Sequence, residues 1–188
     1  MSKLNVSFKQ HSFASLAFSG YIILASFSSD AQNCLSESMT ETTPNTQFVI
    51  HGDGTITDTS TALMWKQCLE GLSGIQCQSG ILNETSWAGA LATPQTLNNS
   101  GGFAGYADWR LPNVAELVSL VEEQCTDPAI NESVFPNTSK KFTWTGSPDY
   151  YNDTAAWSVE FNVGATGSIT RETSTAVNYP IRLVRSAN

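Results

Sequence analysis

The chain has 188 residues, enough for one domain with a sizeable core and too few for two comfortable ones. Its 17 acidic side chains against 9 basic ones give a formal net charge of −8 at pH 7, a balance that opposes binding to nucleic acid or to anionic membranes. Two histidines, and four cysteines with no C-x₂-C spacing, cannot furnish the ligand cluster of a structural zinc site.

At the start, Lys3, Lys9 and His11 precede an uncharged run from Ser12 to Ser29 centred on Tyr21-Ile22-Ile23-Leu24-Ala25. That is the layout of a signal peptide, and the small residues Ser29 and Ala31 place cleavage after Ala31. The run approaches the length of a bilayer span, but its serines make it a poor one, so no membrane span is expected after cleavage. Removing residues 1–31 takes away Lys3, Lys9 and Asp30, leaving 7 basic and 16 acidic side chains and a charge of −9. Residues 32–46, rich in Ser, Thr, Glu and Asn, read as an extended lead-in that only Cys34 would hold down, with the folded domain occupying 47–188.

From Phe48 to Cys68 the pattern predicts two strands about a turn, Thr55-Ile56-Thr57 and Leu63-Met64-Trp65-Lys66, followed by a loop over 69–84. Thr85 or Ser86 then caps a helix whose inner face is expected to be Trp87, Ala88, Leu91 and Ala92, with Pro94 breaking or kinking it before Leu97. The most telling stretch is Asp108-Trp109-Arg110-Leu111-Pro112-Asn113-Val114-Ala115-Glu116-Leu117. Pro112 has no N–H to lose, and Asn113 followed three residues later by Glu116 makes a capping box, so a helix begins near Val114. Val114, Leu117, Val118, Leu120 and Val121 form its apolar stripe, and Glu122, Glu123 and Gln124 are expected to face water. Beyond Cys125, short strands are predicted at 142–145, 156–161, 168–170 and 181–184, giving an α+β fold of two helices beside a mostly antiparallel sheet.

Cys34, Cys68, Cys77 and Cys125 all follow Ala31, and in an exported chain disulfides are favoured over metal. Three connectivities are open. The favoured one joins Cys68 to Cys77, closing a short Gly-rich loop, and Cys34 to Cys125, tying the lead-in to the end of the central helix at a gain of about 4 kcal/mol in the chain-entropy model.

Five stretches in order resemble the Lcl C-terminal domain family, named after the terminal domain of a bacterial collagen-like adhesin. They are Gly54–Asp58 leading to Leu63–Lys66; Gly101–Tyr106 leading to Asp108–Asn113; Pro128–Asn131 leading to Val134–Thr138; Ala156–Phe161; and Ile181–Arg185. The resemblance implies a bacterial chain, a single domain of C-type-lectin-like fold used for surface or extracellular binding, and no catalytic residues.

The chemistry-bearing residues are few. His51, the only histidine after Ala31, has no evident catalytic partner, no Gly-x-Ser-x-Gly is present, and Asp149, Asp153 and Glu160 are the carboxylates a glycan hydrolase would need to pair. Asp108, Trp109, Arg110, Pro112, Glu116, Arg182 and Arg185 are assigned structural roles: the arginines are expected to make charge-assisted hydrogen bonds, partly buried by Leu111, Ile181 and Val184, rather than an anion site. Trp65, Trp87, Trp109, Trp144 and Trp157 are assigned to the core. Calcium is the ion weighed, because Asp53 and Asp58 flank a turn and Ser147-Pro148-Asp149 with Tyr151-Asn152-Asp153 loosely resembles the sugar-binding pair of calcium-dependent lectins; the missing leading Gln or Glu makes no cofactor the expectation.

The binding candidate is the loop from Gly146 to Thr154, where Asp149, Tyr150, Tyr151, Asn152 and Asp153 lie outside any core pattern, with a second loop at 166–178. The functional expectation is a non-catalytic binding or adhesion module, periplasmic or at the cell surface of a bacterium, whose partner is a glycan or a cell-surface protein. A glycan hydrolase and a structural envelope subunit are the rivals. Two close carboxylates in a pocket would favour the first and a broad apolar patch the second.

Overall fold

The computed structural model describes residues 32–171 and 177–188. The expected signal peptide, residues 1–31, lies outside them, as do residues 172–176 of the second loop. In chain order the strands are β1 (Asn33–Cys34), β2 (Phe48–Ile50), β3 (Thr55–Asp58), β4 (Leu63–Lys66), β5 (Leu72–Ser73), β6 (Ser79–Gly80) and β7 (Glu84–Thr85). Helices α1 (Trp87–Asn99) and α2 (Val114–Val118) follow, then β8 (Cys125–Thr126), β9 (Phe142–Pro148), β10 (Ala155–Glu160), β11 (Ala165–Thr170), β12 (Tyr179–Pro180) and β13 (Val184–Ser186).

Among the described residues the architecture is α+β, with antiparallel sheets of short strands, two α-helices and two disulfides, Cys34–Cys125 and Cys68–Cys77. One sheet has the order β13-β4-β3-β2 and another the order β11-β10-β9, while β1-β8, β12-β7 and β5-β6 form small pairs. The four-stranded sheet divides the interior. Ile56 faces Trp65 across β3–β4, and with Phe48, Leu63 and Val184 they join Leu117, Leu120, Phe135 and Phe161 in one apolar cluster. Met64, one residue along from Trp65, points to the opposite face because side chains alternate along a strand, and it packs with Trp109, Leu111, Trp144, Ile181 and Leu183 in a second cluster. Every residue of β4 is therefore buried, Lys66 included.

Three local expectations are corrected. Helix α1 runs unbroken through Pro94, capped by Ser86, whose hydroxyl accepts from Gly89 N at 3.3 Å. Its inner face is Ala90 and Pro94, with Trp87 and Leu97 beside them, whereas Ala88, Leu91 and Ala92 are exposed. Packing against the second cluster selects the face and tolerates the missing N–H of Pro94, overriding local preference. Helix α2 starts at the expected capping box but ends after five residues at Ser119. The chain then turns, so Leu120 and Val121 stay buried and Glu122 and Gln124 are buried too instead of facing water; Val118 is exposed. The predicted strand 181–184 is split, with Ile181, Arg182 and Leu183 buried between β12 and β13.

Buried Glu122 gives the lead-in an anchor that Cys34 alone does not. Its carboxylate accepts from Thr42 N (3.0 Å) and Thr42 Oγ1 (3.1 Å), from Thr43 N (2.7 Å) and Thr43 Oγ1 (2.8 Å), and from Gln124 N (3.2 Å). Gln32 Nε2 donates to the carbonyls of Pro128 and Ile130. Burial raises the pKa of Glu122, but the hydrogen bonds from Thr42, Thr43 and Gln124 outweigh it and hold the group below its usual 4.5.

Two outcomes follow for this anchor. Glu122→Gln replaces an acceptor with a donor facing Thr42 and Thr43 and should cost about 1–3 kcal/mol in urea unfolding. Because the folded pKa is depressed, the Glu122 contribution is complete above pH 4.5 and lost as pH falls through the lowered value. The parent should therefore lose part of its advantage over the Gln variant below pH 4.5, and a gap that stays constant down through that range contradicts the anchor.

Candidate functional site

Strands β9 and β10 are joined by residues 149–154, and the loop is shaped by its own short polar side chains. Asp149 Oδ1 accepts from Tyr151 N (2.9 Å), and Asp149 Oδ2 from the hydroxyl of Ser168 on β11 (2.5 Å). The Ser168 hydrogen bond and that backbone amide hold the Asp149 carboxyl below the ordinary aspartate range. Asn152 Oδ1 accepts from Thr154 N (3.1 Å) and Thr154 Oγ1 (2.7 Å), a self-bonded turn of the kind Asn and Asp favour. At the loop base Ser147 Oγ accepts from Val114 N (3.0 Å), tying β9 to the start of α2. Asp149 and Asn152, two of the expected ligand contacts, are thus taken up in fixing the loop.

Tyr150 and Tyr151 are what the loop presents. They are 90% and 92% exposed, and their rings meet edge to face with centroids 5.2 Å apart. Asp153 is exposed beside them. Asp53 and Asp58, weighed from the sequence for calcium, are both hydrogen-bonded within their own turns. Asp53 Oδ1 accepts from Thr55 N and Thr55 Oγ1, and buried Asp58 accepts from Gln47, Ser60 and Thr61. Among the described residues no group of three or more His, Cys, Asp or Glu is placed to hold a metal ion.

The arginines divide by burial. Arg110 makes a two-pronged contact with Glu116 (2.8 and 2.7 Å), and Glu116 also accepts from Asn113 N (2.8 Å) to complete the capping box. The backbone of Arg110 bridges Val184 in both directions, at 2.9 and 3.0 Å. Its side chain is 44% exposed and that of Glu116 18%, while Asp108, whose carboxylate pairs with Arg185 Nε (2.7 Å), is 59% exposed and Arg185 is buried, so each pair is partly buried. Arg182 is different: it is fully buried, donating to the carbonyls of Lys66 and Gln67 and to Thr138 Oγ1, with its guanidinium over the Phe135 ring. Burial lowers its pKa to about 9, which leaves it charged at neutral pH. Trp65, Trp109 and Trp144 are core residues, while Trp87 and Trp157 are only half-buried.

A second concavity escaped the sequence reading. A cleft of about 490 Å³ opens between the Gly52–Gly54 turn, the end of β4 and the disulfide-closed loop over Leu72–Gln76. Phe103 forms one wall, and Lys66 lies over its ring at 4.3 Å while pairing with Glu70. Gly54 has φ +88°, and a Cβ there would come within 2.8 Å of the Phe103 ring, so the turn needs glycine for both conformation and space. The available signal was that Gly54, Lys66 and Phe103 sit in stretches already singled out. Nothing in their spacing says that they meet.

The sequence model of the Lcl C-terminal domain family matches residues 54–185, which takes in β3 to β12, both helices, the tyrosine loop and most of the cleft lining. None of the curated proteins matches the chain.

Burial predicts unequal losses at the two arginines. Arg182→Ala strands two buried carbonyls and opens a cavity, and should cost about 3 kcal/mol. Arg110→Ala removes an accessible pair and should cost about 1 kcal/mol or less. Chemical denaturation compares them directly, and equal losses would contradict the assignment.

Proposed function

We propose that this chain, which belongs to the Lcl C-terminal domain family, is an exported, non-catalytic bacterial binding or adhesion module of C-type-lectin-like architecture. Its contact surface is the β9–β10 loop, and its ligand is an uncharged glycan or a cell-surface protein. The observation that carries this reading is the exposure of Tyr150 and Tyr151 on a loop whose polar groups are occupied in shaping it. A tyrosine face offers apolar area with a hydrogen-bonding tip and few torsions to freeze, which suits sugar rings and protein surfaces alike. Two disulfides fit a chain that matures in an oxidising compartment. The net charge of −8 favours a neutral ligand over a sulfated polyanion.

The test is a glycan array probed with the parent and with Tyr150→Ala/Tyr151→Ala, followed by capture of surface proteins should the array stay blank. The double variant should lose binding while its stability changes by only about 0.5 kcal/mol, since truncating exposed rings removes contact area from a partner and little from the fold. Retained binding, or a collapsed melt, would sink the assignment.

A further inference from the structure

The cleft beside the Cys68–Cys77 loop has the makings of a site independent of the tyrosine loop. Its volume of about 490 Å³ lies in the range of small-molecule pockets. Ile50, Leu72, Ile75 and Phe103 supply apolar walls, and two of these face water, Ile50 at 54% and Ile75 at 85% exposure. Large aliphatic groups held in water beside a concavity are surface that a ligand can cover. Lys66, the one Lys or Arg among the described residues of the lining, is paired with Glu70 and lies over the Phe103 ring, so its charge is already met. The remaining charge is Asp53. Both bonds it accepts from Thr55 fall on Oδ1, leaving its second carboxylate oxygen outside them, and the Thr55 hydrogen bonds hold the carboxyl below the ordinary aspartate range.

We propose that this cleft binds an apolar cation, an aliphatic or aromatic group bearing an ammonium, with the apolar part between Ile50, Ile75 and Phe103 and the ammonium at Asp53. The ammonium belongs either to a free amine or to a lysine side chain beside an apolar residue. Both sources present the same chemistry.

The experiment is an NMR titration of the full disulfide-bonded chain with hexylammonium, with hexanoate and hexan-1-ol as charge-reversed and neutral comparators, and with N-acetyl-Leu-Lys-amide as the peptide arm. Hexylammonium should shift the amides of Gly54, Ile75 and Phe103 saturably and bind more tightly than the alcohol, while hexanoate leaves them unmoved. Asp53→Asn keeps the acceptor for Thr55 and should weaken the ammonium about fivefold, the order of one accessible ion pair, while sparing the alcohol. Ile75→Ser, at an exposed position, should weaken both. Tighter binding of the peptide than of hexylammonium assigns the cation to a protein side chain, and the reverse assigns it to a free amine. Equal binding of hexanoate, shifts centred on Tyr150 and Tyr151, an absence of saturable shifts, or an Asp53→Asn variant that binds as the parent does would each overturn the proposal. Tyr150→Ala/Tyr151→Ala should leave the titration unchanged, so the cleft and the tyrosine loop stand or fall separately.

Discussion

A guanidinium with no carboxylate among its partners in the described residues packs over Phe135 of one apolar cluster, flanked in sequence by Ile181 and Leu183 of the other. A charge in that position persists only when hydrogen bonds replace its water. Arg182 takes its replacements from Lys66 O, Gln67 O and Thr138 Oγ1, and lays its plane over Phe135. Those partners belong to the end of β4 and to the segment before β9, so one side chain fixes three parts of the chain relative to one another. The carbonyls it holds are those of residues lining the cleft. Arg182 thus helps fix two residues of the cleft lining, and its neighbours Leu183 and Ile181 accept backbone hydrogen bonds from Lys66 N and Glu70 N, at 3.0 Å each.

What could be read in advance was what a few neighbouring residues decide by themselves. The capping box of Asn113 and Glu116 is one case: donors and acceptors three residues apart make the same contact wherever the segment sits. The β3 and β4 alternation is another, because period two is a property of the strand. The misreadings began where a distant contact outvoted a local pattern. Glu122 looked like the solvent face of a helix that in fact ends at Ser119, and its acidity serves Thr42 and Thr43, some eighty positions away. Ala88 and Ala92 looked inward because alanine carries little directional information, and Ala90 with Pro94 packs instead.

The two candidate surfaces differ in the same way. The tyrosine loop was visible because its aromatic residues lie in a short polar run, although the use of Asp149 and Asn152 as turn formers became evident only with their partners Ser168 and Thr154. The cleft was invisible because Ile50, Lys66, Ile75 and Phe103 come from four separate segments. The turn at Gly54 has to be glycine for Phe103 to approach, but a glycine in a turn is too common to announce an aromatic wall.

The covalent link between Cys34 and Cys125 also determines how the molecule would bear load. Tension applied ahead of Gln32 meets the Gln32 side-chain bonds and the Asn33–Thr126 pair, and then passes through the disulfide into β8. At the other end, a pull on Asn188 reaches β13, which is held to β4 by antiparallel pairing from Val184 to Ser186. The residues between Cys34 and Cys125 would be extended by such a pull only if a covalent bond broke.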